Sequence, residues 1–155
     1  MKFLIRDVDF NDAEMLLAWR NEPEVRRFSH FQGIISKKEH LDWLHRRLNL
    51  LPSQPFWIFE NELGKVGTTR FDFNPVQKHF EISITINSMH RGKGLGKRVL
   101  DLAITNFLKI HPDGNLYAET HQDNQASRVL FLGCGFKEHE CSKKFLVFER
   151  IANTN

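Results

Sequence analysis

The run Arg91-Gly92-Lys93-Gly94-Leu95-Gly96-Lys97-Arg98 has the make-up of an anion cradle. A β-like stretch, Phe80 to Ile86, leads into it, and an amphipathic helical pattern from about Lys97 to Ile110 leaves it. A strand, a glycine-rich turn and a helix start aim bare backbone N–H groups at one spot. Unpaired amides and the helix dipole both favour phosphate there. The glycines let the chain approach a ligand with no Cβ in the way. Lys93, Lys97 and Arg98 add positive charge.

Spacing narrows the kind of phosphate site. A Walker loop would place glycine where Arg91 stands and Ser or Thr where Arg98 stands, so its magnesium ligand is missing. A dinucleotide fingerprint would place its third glycine where Lys97 stands. What remains is Arg-x-x-Gly-x-Gly, Arg91 to Gly96. A second run follows downstream: Asn124-Gln125-Ala126-Ser127-Arg128-Val129-Leu130-Phe131, then Leu132-Gly133-Cys134-Gly135-Phe136. Asn124 is a good helix N-cap, Leu130 is expected to face the core, and Gly135 reads as a helix stop.

In this order and at this spacing the two runs resemble the GCN5-related N-acetyltransferases (GNAT), and the resemblance extends over nearly the whole chain. It implies an α/β (α+β) fold, a central mixed β-sheet of about six to seven strands flanked by about four helices. It implies acetyl-coenzyme A as cofactor and direct transfer of its acetyl group to a primary amine. Ile84, Thr85, Ile86 and Met89 are expected along the pantetheine arm. Arg91, Lys93, Gly94, Leu95, Gly96 and Lys97 are expected around the pyrophosphate, and Asn124, Ser127 and Phe131 beside the same cofactor. Arg128 is expected either at the ribose phosphate or on a solvated helix face.

Such a transfer needs thioester and amine held close, an amine that has lost its proton, and a donor for the oxyanion. The resemblance offers Glu119, five residues before Asn124, as the base of first choice, in the manner of the ribosomal-protein N-acetyltransferases. Glu81, at the start of the central strand, is the second candidate. His121 is the third, because imidazole exchanges protons near neutral pH. The structural alternatives are a surface carboxylate, a cross-strand ion-pair partner and a loop histidine, respectively. The family's Tyr acid falls on Phe131, which has no proton to give; Tyr117, the single Tyr, lies on the preceding strand. Unassisted departure is tolerable, because a thiol pKa of about 8.5 makes thiolate a fair leaving group.

For the acceptor, Trp19-Arg20-Asn21-Glu22-Pro23-Glu24-Val25-Arg26 resembles a Trp/Phe-Arg-Asn signature of ribosomal-protein and nucleotide-sugar N-acetyltransferases. Ser36 to Leu44 and Pro52 to Phe59 resemble more closely the enzymes that acetylate a UDP-linked 4-amino-4,6-dideoxy sugar in pseudaminic acid biosynthesis. Arg20, Asn21, Arg26, Arg27, His30 and Trp57 are the substrate-binding candidates: donors for a diphosphate and an aromatic face for a ring. The plainer readings are core packing for Trp19, Phe28 and Trp57 and a stitching role for Arg20 and Asn21. The cluster Arg26, Arg27, Lys37, Lys38, Arg46, Arg47 favours an anionic small-molecule acceptor over a cationic one. Acetylation of a protein N-terminus and a non-catalytic coenzyme A module are the alternative functions.

These groups need a scaffold. Lys2 to Arg6 alternates as a first strand. A helix from Asn11 or Asp12 runs through Arg20 and breaks at Glu22-Pro23, and a loop spans Arg26 to Ile35. Ser36 to Glu39 is a capping box opening a helix with Leu41, Leu44 and Leu48 on one face. Phe56 to Phe59 and Val66 to Phe73 read as a hairpin, Leu116 to Thr120 as a strand, and Lys143 to Arg150 as the last strand. Residues 1–155 read as one domain, 1–60 mainly on the acceptor side and 80–136 holding the cofactor. A net charge of +3 with interspersed signs does not call for nucleic acid. With no leader pattern and no apolar run near eighteen residues, the expectation is a cytoplasmic chain without membrane contact. Cys134 and Cys141 are too few for a disulfide framework, and Cys134 reads as a small buried hydrophobe. No metal is expected: His40 and His45, five apart, fall on different helix faces. Last strands in such folds often pair two copies, so a homodimer is among the expectations.

Overall fold

The computed structural model describes residues 2–139 and 143–152, so Cys141 lies outside the described residues. The strands are β1 (Leu4–Asp7), β2 (Phe56–Asn61), β3 (Gly64–Asn74), β4 (His79–Ile86), β5 (Leu116–His121), β6 (Lys137–His139) and β7 (Phe145–Arg150). The helices are α1 (Ala13–Arg20), α2 (Pro23–Arg27), α3 (Lys37–Leu48), α4 (Leu95–Ile110) and α5 (Gln125–Gly133). The strands form one sheet in the order β1-β2-β3-β4-β5-β7-β6. Its neighbours pair antiparallel except β4 and β5, which run parallel across the helical crossover α4. This is the expected mixed sheet flanked by helices.

Local chemistry sets the boundaries. Asp9 and Asp12 form a reciprocal capping box that turns the chain into α1. The Ser36 hydroxyl accepts the Glu39 amide at 3.2 Å and starts α3. Pro23 ends α1, as expected, but it also sits in the first turn of α2. A fixed proline φ suits that position, and the short helix takes Arg26 and Arg27 from the start of the expected loop. Strand β6 was not expected: its three residues are all exposed and carry no alternation.

The sheet carries a different core on each face. On one side α4 and α5 bury Trp57, Phe59, Phe71, Phe80, Ile82, Val99, Leu100, Phe107 and Phe148 among others. On the other, α1 and α3 cover Phe56 and Ile58 with Leu16 and Leu44. That second layer covers only the β1–β2 side of the face, which leaves the central strands there open to a ligand.

Candidate active site

Strand parity collects the polar groups. β3 and β4 pair without a slip, Thr68 opposite Thr85, Arg70 opposite Ser83 and Asp72 opposite Glu81. β5 adds Glu81 opposite Tyr117. Since side chains alternate, Thr68, Arg70, Asp72, Glu81, Ser83, Thr85, Tyr117, Glu119 and His121 share one face, the face that α1 and α3 border.

β4 and β5 pair only at Phe80–Leu116 and Glu81–Tyr117. Beyond that pair β4 runs on to Ile86 bonded to β3, and β5 runs on to His121 bonded to β7. The two strands therefore part, and main-chain groups on both lips of the opening have no strand partner across it. β4 then feeds the cradle. Gly92 and Gly94 have φ of +76° and +74°, and a Cβ built on either meets nothing within 4 Å. Gly94 is the N-cap of α4 with no side chain capping it, and the amides of Gly92, Lys93 and Gly94 make no backbone hydrogen bond among the described residues. Open space, bare donors and the positive end of α4 fit a pyrophosphate.

A cluster of titratable groups lies on β5 and the α2–α3 loop. Tyr117 donates its hydroxyl to Glu119 Oε1 at 2.6 Å, and His30 Nε2 donates to Glu119 Oε2 at 2.7 Å. The His30 ring stacks on Phe145 with centroids 3.6 Å apart. Burial alone would push the Glu119 carboxyl up, but the Tyr117 and His30 hydrogen bonds with the His30 charge outweigh it and hold the carboxyl below its usual range. Glu81 moves the other way: burial, then the charges of Glu119 and Asp72, push it up. His121 is buried, accepts the Asp123 amide on Nδ1 at 3.1 Å, and packs between Phe28 and Phe145.

Beside this cluster lies a cavity of about 380 Å³, within the range of small-ligand sites. Trp19, Trp43 and Phe56 give it an aromatic wall; Arg20, Arg70, Thr68, Ser83 and Thr85 give it polar groups. His40 also lines it, but burial holds its imidazole below the usual range despite a 2.9 Å hydrogen bond to Ala13 O, so it stays neutral.

The profile of the Acetyltransferase (GNAT) domain matches residues 2–137. The chain belongs to the GNAT acetyltransferase family. The uncharacterized protein MJ1062 of Methanocaldococcus jannaschii is 31% identical over 147 residues, covering 88% of this chain and 28% of that protein. The chain thus spans well under a third of the length of this curated relative. A domain from M. jannaschii, solved by crystallography, superposes with a TM-score of 0.80 at 25% identity, covering 97% of this chain and 98% of that one. RimL, a ribosomal L7/L12 alpha-N-protein acetyltransferase solved with coenzyme A, superposes at 0.83 with 14% identity, covering 100% and 97%.

The GNAT fold sorts the expected site residues. Ile84, Thr85 and Ile86 lie on the β4 lip; Thr85 faces the cavity, while Ile84 and Ile86 pack on the α4 core. Met89 is exposed after β4. Asn124 Oδ1 caps α5 by accepting the Ser127 amide at 3.1 Å. Gly94, Leu95, Gly96, Lys97 and Lys93 form the cradle, but the Lys97 ammonium lies along α4 against Asp101 at 2.9 Å, so the backbone is what it offers. Arg91 also differs from expectation. Its side chain donates to Ile86 O at 3.0 Å and meets Glu22 at 3.3 Å, bracing the loop rather than facing it. Arg128 is tied to Glu138 at 2.6 Å.

Five further candidates have other partners in the fold, Trp57 and Asn21 in the plainer roles given above. Phe131 is 3% exposed and packs on Phe136 and Phe148, which makes it a core residue. Trp57 has the wrong strand parity for the acceptor side and sits on Phe71 in the α4 core. Asn21 spends both ends of its amide on the Ile35 backbone, at 3.0 and 2.8 Å. Arg26 holds Gln32 O at 3.1 Å, and Arg27 lies over Phe28 beside Glu24. Arg20 alone of the substrate candidates lines the cavity, and His30 instead joins Glu119. Arg70 and Tyr117 were missed. The two-residue steps Thr68-Arg70-Asp72 and Tyr117-Glu119-His121 were the signal that could have found them. The described residues hold no group of three or more metal-ligand side chains, and none of their helices is long and apolar enough to cross a membrane.

Proposed function

We propose that this chain moves the acetyl group of acetyl-coenzyme A directly to the primary amine of an anionic small molecule, a nucleotide-linked amino sugar. The observation that carries the reading is the parting of β4 and β5 beyond Glu81 and Tyr117, with an amide cradle at the end of β4 and a cation-bearing cavity against Ser83 and Thr85.

When bound, acetyl-coenzyme A supplies an activated acetyl thioester. The amides from Gly92 to Lys97 are the groups to hold its pyrophosphate, and the free lip of β4 from Ile82 to Ile86 is the surface for its pantetheine. Glu81 takes the proton from the acceptor's ammonium: its raised pKa makes it a better base than an ordinary carboxylate. Glu119, the first choice from sequence, is less suited, because both oxygens already accept hydrogen bonds and its pKa is lowered. It keeps its charge and orients His30 and Tyr117. His121, with Nδ1 occupied and its ring enclosed, supports the same wall. The Tyr117 hydroxyl spends its one proton on Glu119 Oε1, and Phe131 has none, so the thiolate leaves unassisted.

The aromatic wall and the two arginines support an anionic, ring-bearing acceptor. A basic protein tail would meet repulsion from the same cations. The test is release of free thiol from acetyl-coenzyme A with a set of UDP-amino sugars beside a set of N-terminal peptides. Release with the sugars alone supports the reading; release with the peptides alone overturns its acceptor half.

A further inference from the structure

We propose that the guanidiniums of Arg20 and Arg70 form a clamp for an anionic group, carboxylate or phosphate, carried on a ring that lies against Trp43 and Phe56. The inference rests on the acetyltransferase reading and specifies what its acceptor must carry.

The two cations reach one cavity from different elements, Arg20 from the end of α1 and Arg70 from the middle of β3. Arg20 donates Nη2 to Phe31 O at 3.1 Å, a carbonyl rather than a carboxylate. Its Nη1 is shielded from water and has no partner among the described residues. A buried donor left in this state carries a desolvation cost that a ligand acceptor would remove.

Arg70 is held in place and only partly neutralised. Its Nε donates to Asp72 Oδ2 at 2.7 Å, and the guanidinium carbon sits 5.0 Å from the Trp43 ring centre and 5.8 Å from that of Phe56. Asp72 does not belong to Arg70 alone. Its other oxygen accepts Nε of the 4%-exposed Arg47 at 2.7 Å. One carboxylate thus serves two guanidiniums, and the terminal nitrogens of Arg70 are left for another acceptor. Stacking on indole fixes the plane of the fork, which suits a two-pronged contact.

The remaining charges do not cancel this pair. Burial, then the positive charges of Arg70 and Arg26, holds the Arg20 guanidinium below its usual range, so the two arginines feel each other. Glu39 lies on the exposed rim, His40 is neutral, and Glu81, further along the sheet face, ionises less readily than a free carboxylate. Like charges held against an aromatic wall repel, and an anion between them turns that repulsion into attraction. Ser83 and Thr85 line the same cavity on the β4 lip. A ligand held by its anion at the arginines therefore extends toward the opening where its amine is needed.

The test measures binding of uridine 5′-monophosphate, benzoate and uridine to protein saturated with coenzyme A, which closes the 91–97 cradle to the probes. The first two carry a phosphate or a carboxylate on a ring, and uridine carries the ring alone. The expected result is that an anionic probe binds about tenfold or more tighter than uridine, and that Arg20→Met and Arg70→Met each remove about that factor while coenzyme A affinity holds. Whichever anion binds more tightly identifies the group. Arg70→Met strips Asp72 of a partner; Arg20→Met leaves that network intact and decides the matter if the first variant is unstable. No binding by either anion, or anion binding unchanged in Arg20→Met, overturns the clamp. Protein that takes up no coenzyme A overturns the acetyltransferase reading instead. The probes are then titrated without it, and the arginine variants judge the clamp by the same criteria.

Discussion

Glu81 and Tyr117 are the last residues to face each other across β4 and β5 before the strands part. Their side chains project to the same face of the sheet, so the half-buried carboxyl and the chain's single phenol stand together at the root of the opening. Glu119 is two residues further along the departing strand, held by that phenol and by His30. A carboxyl with a raised pKa beside one with a lowered pKa is the arrangement that separates a proton acceptor from a fixed charge.

Glu81→Gln should lower kcat by roughly 10²-fold or more with coenzyme A affinity unchanged. A base works deprotonated, so activity falls as pH drops through its pKa. Because Glu81 lies above the ordinary 4.5, the acid limb of kcat/KM should lie above that value and vanish in the variant. If Glu119→Gln abolishes that limb and Glu81→Gln leaves it, the two roles are reversed.

Gly94→Ala and Gly96→Ala should separate backbone strain from packing. Gly94 holds φ +74°, so Ala there should cost about 1 kcal/mol and weaken the cofactor cradle. A Cβ at Gly96 lands 3.7 Å from Ile86 Cγ1, an ordinary contact, so Ala there should leave stability within about 0.5 kcal/mol or raise it. Urea unfolding of the two variants reads the difference; equal losses would contradict it.

Phe131→Tyr should lower stability by about 1–3 kcal/mol, since it puts a hydroxyl into the wall of Phe136 and Phe148. Turnover per folded molecule should not rise. A faster variant would return the proton-donor role to this position.

Arg6 grips Asp12 with two 2.8 Å hydrogen bonds. Burial alone would raise the Asp12 carboxyl, but Arg6 and the Asp9 amide outweigh it and hold it below the ordinary 3.8. A depressed folded pKa gives stability that is present above the unfolded value and lost as pH falls through the folded one. Asp12→Asn should therefore cost on the order of 2 kcal/mol at neutral pH and progressively less below pH ~4. Chemical unfolding at two pH values reads this, and a cost independent of pH would contradict it.

The local sequence carried the elements well where a side-chain cap fixed a boundary, Ser36 for α3 and Asn124 for α5, whereas α4 begins at Leu95, ahead of the expected Lys97. It carried the glycine turn before α4 because that segment is contiguous. Facing was harder to read. Phe56 to Phe59 is apolar on both sides, since helices cover both faces of β2, so nothing local says that Phe56 borders the cavity and Trp57 does not. Arg70 was harder to read for a related reason: its step to Asp72 is local, but Trp43 reaches it from α3 only in the folded chain. His30 and Glu119 lie 89 residues apart, and nothing in either neighbourhood announces the other.

In the proposed reading a nucleotide thioester is held by main-chain amides after β4 and reaches into the opening between β4 and β5. Amide NMR shifts followed during titration with acetyl-coenzyme A test it most directly. The expected result is saturable shifts at Gly92 to Lys97 and along Ile82 to Ile86, with β1 and α3 little changed. Absence of shifts, or shifts confined to residues outside those two segments, would contradict it.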